Sequence, residues 1–166
     1  MPVDVRVVGP EDWAVWRELR LEALQDTPIG FLETYDRAAR LDESGWRARL
    51  ARGAYCVVAE QDAEPVGMSL GFLDEGQPTV GAVFIRPQAR GRTRGVLAAM
   101  VDRVADWAQR VHGAHELALW VHEDNDRARV AYEHLGFVAT GETTRYDLDP
   151  TRREQRMVRP LTTGSD

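Results

Sequence analysis

Arginine and glycine are concentrated in residues 86–95, although the chain as a whole carries a formal net charge of -6. Four of the first nine residues in this stretch are arginines: Arg86, Arg90, Arg92 and Arg94. Gly91 and Gly95 let the backbone approach a ligand closely, and helical spacing of apolar residues begins directly afterwards. The first N–H groups of a helix lack intrahelical partners and carry partial positive charge, so they bind anions. The stretch therefore favours a phosphate-bearing ligand, with a solvated basic turn as the alternative.

Asn125 and Tyr132 form a second group of residues that could do chemistry. They are seven residues apart, which is about two helical turns, so a helix places both on roughly the same face. An asparagine at a strand-to-helix junction is by default a helix cap, and a tyrosine on a short helix is by default half-buried packing. From the spacing alone, a structural role and a functional role both stay open.

The elements that position these residues follow from apolar periodicity. Residues 82–85 form the apolar, β-branched and aromatic run of a buried strand, which Pro87 ends because it cannot donate to a ladder. A long helix is predicted after Gly95 from its apolar stripe. The stripe consists of Leu97, Met100, Val101, Val104, Ala108 and Val111. After a predicted strand at 116–121, Asn125 begins a short helix at 125–135 that Gly136 closes.

The remaining elements are predicted by the same criteria. Strands are expected at 3–8, 55–60, 66–73, 137–148 and 155–161, and helices after Pro10 and after Asp42 or Ser44. Residues 31–40 show no strong period. Because neither a repeat nor a linker interrupts the pattern, the sequence predicts a single domain over residues 1–161, with a flexible tail at 162–166.

Composition excludes several classes of function. No apolar run approaches the roughly 20 residues needed to cross a bilayer, and the N-terminus lacks the apolar core of a signal peptide, so we expect a cytoplasmic protein without a membrane partner. The chain contains no lysine, which excludes a Schiff-base or P-loop lysine within it. Cys56 is the only cysteine, so no internal disulfide can form. The acidic balance argues against a nucleic-acid partner, and residues 122–126 lack the spacing of a metal site, so no metal is expected.

Taken together, these patterns resemble the GNAT superfamily of acyl-CoA-dependent N-acyltransferases. Residues 90–95 look like its Q/R-x-x-G-x-G/A motif, with Arg90 first and Gly95 last, and residues 119–137 are similar to its second motif. The resemblance covers nearly the whole chain. It implies an α/β (mixed α+β) fold with a central, mostly antiparallel, splayed sheet of about six to seven strands and about four helices. The implied order is β-α-α-β-β-β-α-β-α-β-β.

The resemblance also implies a binding site for acetyl-CoA as co-substrate. The turn would bind the pyrophosphate, chiefly through backbone N–H groups; its residues are Arg90, Gly91, Arg92, Thr93, Arg94, Gly95 and Val96. The pantetheine arm would pair with the strand at Val83, Phe84 and Ile85, beside a gap that leaves backbone groups unpaired. Asn125 would contact the cofactor, and Tyr132 would protonate the departing thiolate.

The implied reaction is transfer of an acetyl group to a primary amine of a small molecule or peptide. Because the amine attacks the thioester directly, no serine or cysteine nucleophile is required, and a backbone N–H of the strand at 83–85 would stabilise the oxyanion. The acceptor pocket would lie between residues 28–40 and the loop at 146–150. Its candidate residues are Phe31, Glu33, Tyr35 and Tyr146. The sequence leaves the oligomeric state open, a homodimer included.

Two positions depart from the family pattern. Thr93 stands where the first motif has its first glycine, and Trp120 stands where some members carry a glutamate base. The general base is therefore unassigned among several carboxylates: Glu33, Asp36, Asp74, Glu75 and Glu123. These departures keep a second hypothesis open, that the chain is a non-catalytic acyl-CoA-binding module.

Overall fold

A computed structural model describes residues 2–162 of the chain. Seven strands of this part form one sheet in the spatial order β1-β2-β3-β4-β5-β7-β6. They are β1 (Asp4–Val7), β2 (Tyr55–Gln61), β3 (Glu64–Asp74), β4 (Gln77–Ile85), β5 (Glu116–His122), β6 (Val138–Arg145) and β7 (Arg153–Pro160). Neighbouring strands are antiparallel except for β4 and β5, which run parallel.

Five α-helices connect the strands within residues 2–162. They are α1 (Trp13–Asp26), α2 (Tyr35–Ala39), α3 (Glu43–Leu50), α4 (Val96–His112) and α5 (Asp126–His134). The predicted mixed fold with a splayed, mostly antiparallel sheet is confirmed, and α2 is an addition to the predicted order. It is too short to show a period. The Thr34 side chain fixes its start by accepting a hydrogen bond from the Arg37 N–H at 3.3 Å.

The helices cover both faces of the sheet. Along β2, Cys56 and Val58 pack with α1 and α3 in one apolar cluster, whereas Val57 between them packs with α4 in another. This alternation follows from the period of two in a strand. The sheet is thus sandwiched between two helical layers. No helix in the described part of the chain is long and apolar enough to span a membrane.

The sheet opens between its two parallel strands. β4 and β5 share a single register pair, Thr79 with Ala118. Beyond it, β4 carries a bulge opposite β3, where the register shifts and Ala82 adopts a left-handed φ of 53°. The carboxyl-terminal halves of β4 and β5 therefore diverge.

The predicted tail at 162–166 lies outside the described residues except for Thr162. The carbonyl of Thr162 accepts a hydrogen bond from the Gln109 side chain. Just before it, Leu161 is buried and donates its N–H to the His115 carbonyl at 2.8 Å.

Candidate active site

A cavity of about 570 Å³ fills the gap between β4 and β5. Its walls are the bulged end of β4, the end of β5, the turn before α4, the inner face of α5 and the 3-10 turn Pro28–Gly30. The cavity brings together the two groups that the sequence singles out, since Gly91 and Gly95 line it together with Asn125 and Tyr132.

The turn before α4 presents unpaired backbone donors. Gly91 and Gly95 have φ angles of 118° and 73°, and between them Arg92–Arg94 forms a 3-10 turn. That turn uses the N–H groups of Arg94 and Gly95, which donate to Gly91 and Arg92. Other N–H groups of the turn have no partner within residues 2–162: those of Gly91, Arg92, Thr93, Val96, Leu97 and Ala98.

The space in front of these donors is open. A Cβ built at Gly91 or Gly95 would meet no atom within 4 Å. Unpaired N–H groups, the positive end of a 17-residue helix and free space together form an anion-binding cradle. Thr93 is exposed, and its backbone N–H has no partner within residues 2–162. The threonine side chain therefore does not occupy any of the backbone donors of the cradle.

The arginines of the turn have different environments. The Arg90 side chain is engaged by the protein itself, because its Nε donates to the Ile85 carbonyl at 2.8 Å and its guanidinium pairs with Asp26. Arg92 lies at the cavity wall and contacts Nδ1 of His134 at 3.0 Å. Arg94 is exposed and lies outside the lining. The charge available to a ligand is therefore that of Arg92. Arg127 on α5 also lines the cavity, but its guanidinium lies 3.8 Å from the Asp26 carboxylate.

The strand residues Val83, Phe84 and Ile85 all line the cavity. The edge of β4 that faces β5 has no strand partner beyond Thr79. Its backbone groups are therefore available to an extended ligand.

Tyr132 lies on α5 with its ring 8% exposed, edge-on to Phe137 at 5.8 Å between ring centroids. Burial raises the pKa of the Tyr132 hydroxyl, so it keeps its proton at neutral pH. The hydroxyl makes no hydrogen bond within residues 2–162. Asn125 acts as the cap of α5, because its Oδ1 accepts from the Ala128 N–H at 3.3 Å. Its amide nitrogen is left for the cavity, so capping does not exclude a ligand contact.

The two segments predicted to form the acceptor pocket meet. The Tyr146 hydroxyl donates to the Phe31 carbonyl at 2.7 Å. Phe31 lines the cavity, whereas Tyr146 stands behind it and packs edge-on against His122 at 4.5 Å between ring centroids. Glu33 and Tyr35 lie outside the lining.

None of the carboxylates that the sequence offered as a base lines the cavity. Glu33 is held by Arg20 and Arg49 at 2.7 and 2.6 Å. Asp74 accepts from the Trp120 indole at 3.0 Å, and Glu123 accepts from the Arg153 N–H at 3.2 Å. Asp36 is exposed, and Glu75 lies in the turn after β3.

The titratable residues of the cavity that the sequence did not single out include His122 and Glu154. They are 32 positions apart and become neighbours through the register of β5 and β7, which pairs His122 with Glu154. The pairing of two strands that are joined by a long connection cannot be recognised from the local sequence. Within residues 2–162, no group of three or more His, Cys, Asp or Glu residues is placed to hold a metal ion.

The fold and the cavity place the chain among mixed α/β proteins with an anion cradle beside a splayed sheet. A family model described as "Acetyltransferase (GNAT) family" matches residues 13–137. The chain belongs to this family, which confirms the resemblance seen in the motifs.

Among curated proteins, the chain is similar to mycothiol acetyltransferase from two strains of Mycobacterium leprae. The identity is 26% over 160 residues, covering 84% of this chain and 51% of the relative. The chain thus spans about half the length of these curated relatives.

Solved structures of the same fold include a GNAT acetyltransferase from Streptococcus pneumoniae, with a TM-score of 0.72, 16% identity and coverage of 97% and 100% of the two chains. The yncA structure from Salmonella typhimurium, which holds its cofactor acetyl-CoA, matches with a TM-score of 0.70, 17% identity and coverage of 100% and 98%. Spermidine/spermine N-acetyltransferase SpeG from Vibrio cholerae matches with a TM-score of 0.66, 16% identity and coverage of 96% and 92%. At these identities the likeness establishes the fold.

Proposed function

We propose that this chain transfers the acetyl group of acetyl-CoA to a primary amine of a small molecule or peptide, by direct attack within a ternary complex. The observation that carries the proposal is the shared cavity, in which unpaired N–H groups of the turn and the protonated hydroxyl of Tyr132 face one space. Family membership supports it, as does the acetyl-CoA held by the yncA structure of the same fold.

The residues present fit acetyl-CoA. The cradle at residues 91–98 suits a diphosphate, because it offers six free N–H groups with open space in front of both glycines. The unpaired edge of β4 at Val83, Phe84 and Ile85 suits an extended chain with amide groups, which can satisfy the free backbone donors and acceptors. Arg92 and Arg127 add positive charge at the wall.

Bound acetyl-CoA supplies an acetyl group activated as a thioester. Tyr132 holds the proton that the departing sulfur needs, and burial keeps that proton in place at neutral pH. The β4 bulge provides the oxyanion donor, since Ala82 and Val83 have no register partner on β3. Phe31 and Trp120 form apolar walls for the acceptor.

Calorimetric titration with acetyl-CoA, followed by a thiol-release assay, tests this function. The amines assayed are spermidine, tyramine, glucosamine and an alanine-terminated peptide. We expect saturable binding and release of free thiol above the hydrolysis background with at least one amine. Absence of binding would refute the proposal. Binding without transfer to any amine would favour a non-catalytic acyl-CoA-binding module.

A further inference from the structure

We propose that Glu154 is the general base of this site: its carboxylate takes the proton from the acceptor's ammonium group, beside an N–H that His122 presents to the same cavity. The inference rests on the proposed function. It also supplies a general base in a chain that has Trp120 at the position where some relatives carry a glutamate base.

Glu154 is distinguished by what surrounds it. It is the one carboxylate among the residues that line the cavity. Its side chain is half-buried, and its oxygens form neither a hydrogen bond nor an ion pair with any residue in 2–162. The arginines of the cavity wall belong to other elements, the turn before α4 and helix α5. A carboxylate without a partner in a partly dry cavity is costly, and an ammonium group of an acceptor would relieve that cost.

His122 lies next to Glu154, and its tautomer determines which hydrogen-bonding group is presented beside the carboxylate. The two residues are directly paired across the antiparallel strands β5 and β7, so their side chains lie on the same face about 5 Å apart at Cβ. The Asp124 N–H donates to Nδ1 of His122 at 3.0 Å. The proton of the neutral ring therefore sits on Nε2.

His122 lines the cavity with a ring that is almost fully buried. The ring is 4% exposed and is held edge-on by Tyr146. Nε2 of His122 makes no hydrogen bond within residues 2–162. In this part of the chain, Nε1 of Trp46 is the one fully enclosed side-chain donor or acceptor without a partner. Nε2 of His122 is therefore not fully enclosed, and the space beside its ring is the cavity. His122 thus offers a donor and no lone pair. Between the two side chains, the carboxylate of Glu154 is the proton acceptor.

The charges near Glu154 favour basicity. Burial is the first cause that raises the pKa of its carboxyl, and the negative charge of Asp147 is the second. Thr144, its register partner on β6, is uncharged. Tyr146, which stands behind the cavity, has a raised pKa through burial and the charges of Glu154 and Asp149. A raised pKa brings a carboxylate closer to the neutral range in which a general base works best.

The arginines two positions before and after Glu154 along the chain do not cancel this effect. Arg152 pairs with Asp124 at 3.3 Å and lies 3.8 Å from Glu123. Arg156 lies 3.9 Å from Glu116 and 3.8 Å from Glu142. Both guanidinium groups are engaged by other carboxylates.

With Glu154 and Tyr132 in these roles, the protons of the acetyl transfer balance. Glu154 takes one proton from the ammonium, and the freed nitrogen lone pair forms the C–N bond as the C–S bond breaks. Tyr132 gives its proton to the departing sulfur, and the phenolate then takes the second proton from nitrogen. Glu154 releases its proton to water, so the net products are the amide, the free thiol and one proton.

The test compares Glu154→Gln with wild type on an amine that wild type acetylates. We expect kcat/KM at pH 7 to fall by about 10²- to 10⁴-fold, the range of general acid–base catalysis, with an unchanged acetyl-CoA Kd. Because the base is needed only while the amine is protonated, the defect should shrink as the pH approaches the pKa of the amine. The matched control is Glu64→Gln on β3, which removes an exposed carboxylate that lies outside the cavity and forms no ion pair within residues 2–162, and it should leave the rate unchanged.

A second measurement does not depend on activity. Titration of the acetyl-CoA-free protein by ¹³C carboxyl NMR should show a signal, absent in Glu154→Gln, that titrates above the ordinary glutamate range. An unchanged rate and pH profile in a folded Glu154→Gln variant would overturn the inference while leaving the proposed function intact. A wild type that binds acetyl-CoA but acetylates no amine would overturn both.

Discussion

Tyr132 and Glu154 both lose hydration in the cavity, and in each case the loss disfavours the charged form. For the tyrosine this keeps the proton on the hydroxyl, which makes it a donor at neutral pH. For the glutamate it raises the pKa of the carboxyl and so strengthens it as an acceptor. One physical cause therefore gives two opposite proton-transfer roles, because the two groups differ by several units in their ordinary pKa.

Replacing Tyr132 by phenylalanine should separate its chemical role from its packing. The change removes the hydroxyl and keeps the ring against Phe137, so we expect kcat to fall by about a hundredfold and the acetyl-CoA Kd to stay nearly constant. Thiol-release kinetics and calorimetry measure the two quantities.

The matched control for this variant is Tyr55→Phe. Tyr55 stacks on Trp107 on another part of the molecule, 5.6 Å between ring centroids. Its loss of a hydroxyl should not alter turnover. If Tyr132→Phe turns over as fast as wild type, Tyr132 is a packing residue only.

At the scale of elements, the turn before α4 owes its function to backbone conformation. Both of its flanking glycines adopt left-handed φ angles, which other residues adopt only at a cost. The turn holds six N–H groups away from internal partners. An anion site built in this way depends on the space in front of the backbone more than on any one side chain.

The substitution Gly95→Glu should therefore abolish the site. It adds bulk and negative charge in front of the unpaired donors, and we expect the acetyl-CoA Kd to rise by about two orders of magnitude, the value of one or two charge-assisted hydrogen bonds. Gly95→Ala is the control, because it carries the same left-handed strain of roughly 1–2 kcal/mol without the charge. Equal affinities for Gly95→Glu and wild type, measured by calorimetry on folded protein, would move the phosphate site elsewhere.

The elements most fully predicted from sequence are those with local signals. The helix after Gly95 and its end at Gly113 follow from an apolar stripe and from a residue suited to the left-handed φ of 60°. The turn itself follows from the spacing of Arg90, Gly91 and Gly95. Helix α2 was missed because five residues cannot show a helical period.

The base and its surroundings could not be predicted in the same way. The predicted strand at 155–161 began one residue after Glu154, whereas β7 begins at Arg153. The predicted strand at 116–121 likewise ended one residue before His122, which belongs to β5. Their proximity is created by the pairing of β5 with β7. Register of this kind depends on the tertiary fold, as does the ion pairing that takes Glu33 away from the cavity.

At the scale of the whole molecule, Glu33 joins three elements of one helical layer. It lies between α1 and α2, and its carboxylate accepts from Arg20 of α1 at 2.7 Å and from Arg49 of α3 at 2.8 and 2.6 Å. Burial alone would raise the pKa of Glu33, but the hydrogen bonds from Arg49 and Arg20 outweigh it, so the pKa is lowered. The same layer carries Phe31 into the cavity wall.

Glu33→Gln should destabilise the fold in a pH-dependent way. Because the folded pKa is lowered, the stabilisation by the charged group is complete above the unfolded value of about 4.3 and is lost as the pH falls through the folded value. At pH 7 we expect the variant to lose about 3 kcal/mol in the free energy of unfolding, since two partly buried arginines lose their partner. The difference from wild type should narrow at pH 3, as measured by urea unfolding at both pH values.

The control for this effect is Glu43→Gln. Glu43 pairs with Arg47 one turn away on α3, but its side chain is 53% exposed, so its loss should change stability by less than about 0.5 kcal/mol. A loss at Glu33 that is equally large at pH 7 and pH 3 would assign the effect to packing instead of charge. A loss confined to the higher pH would show that one ion-paired carboxylate holds the helical layer, and with it the acceptor wall, in place.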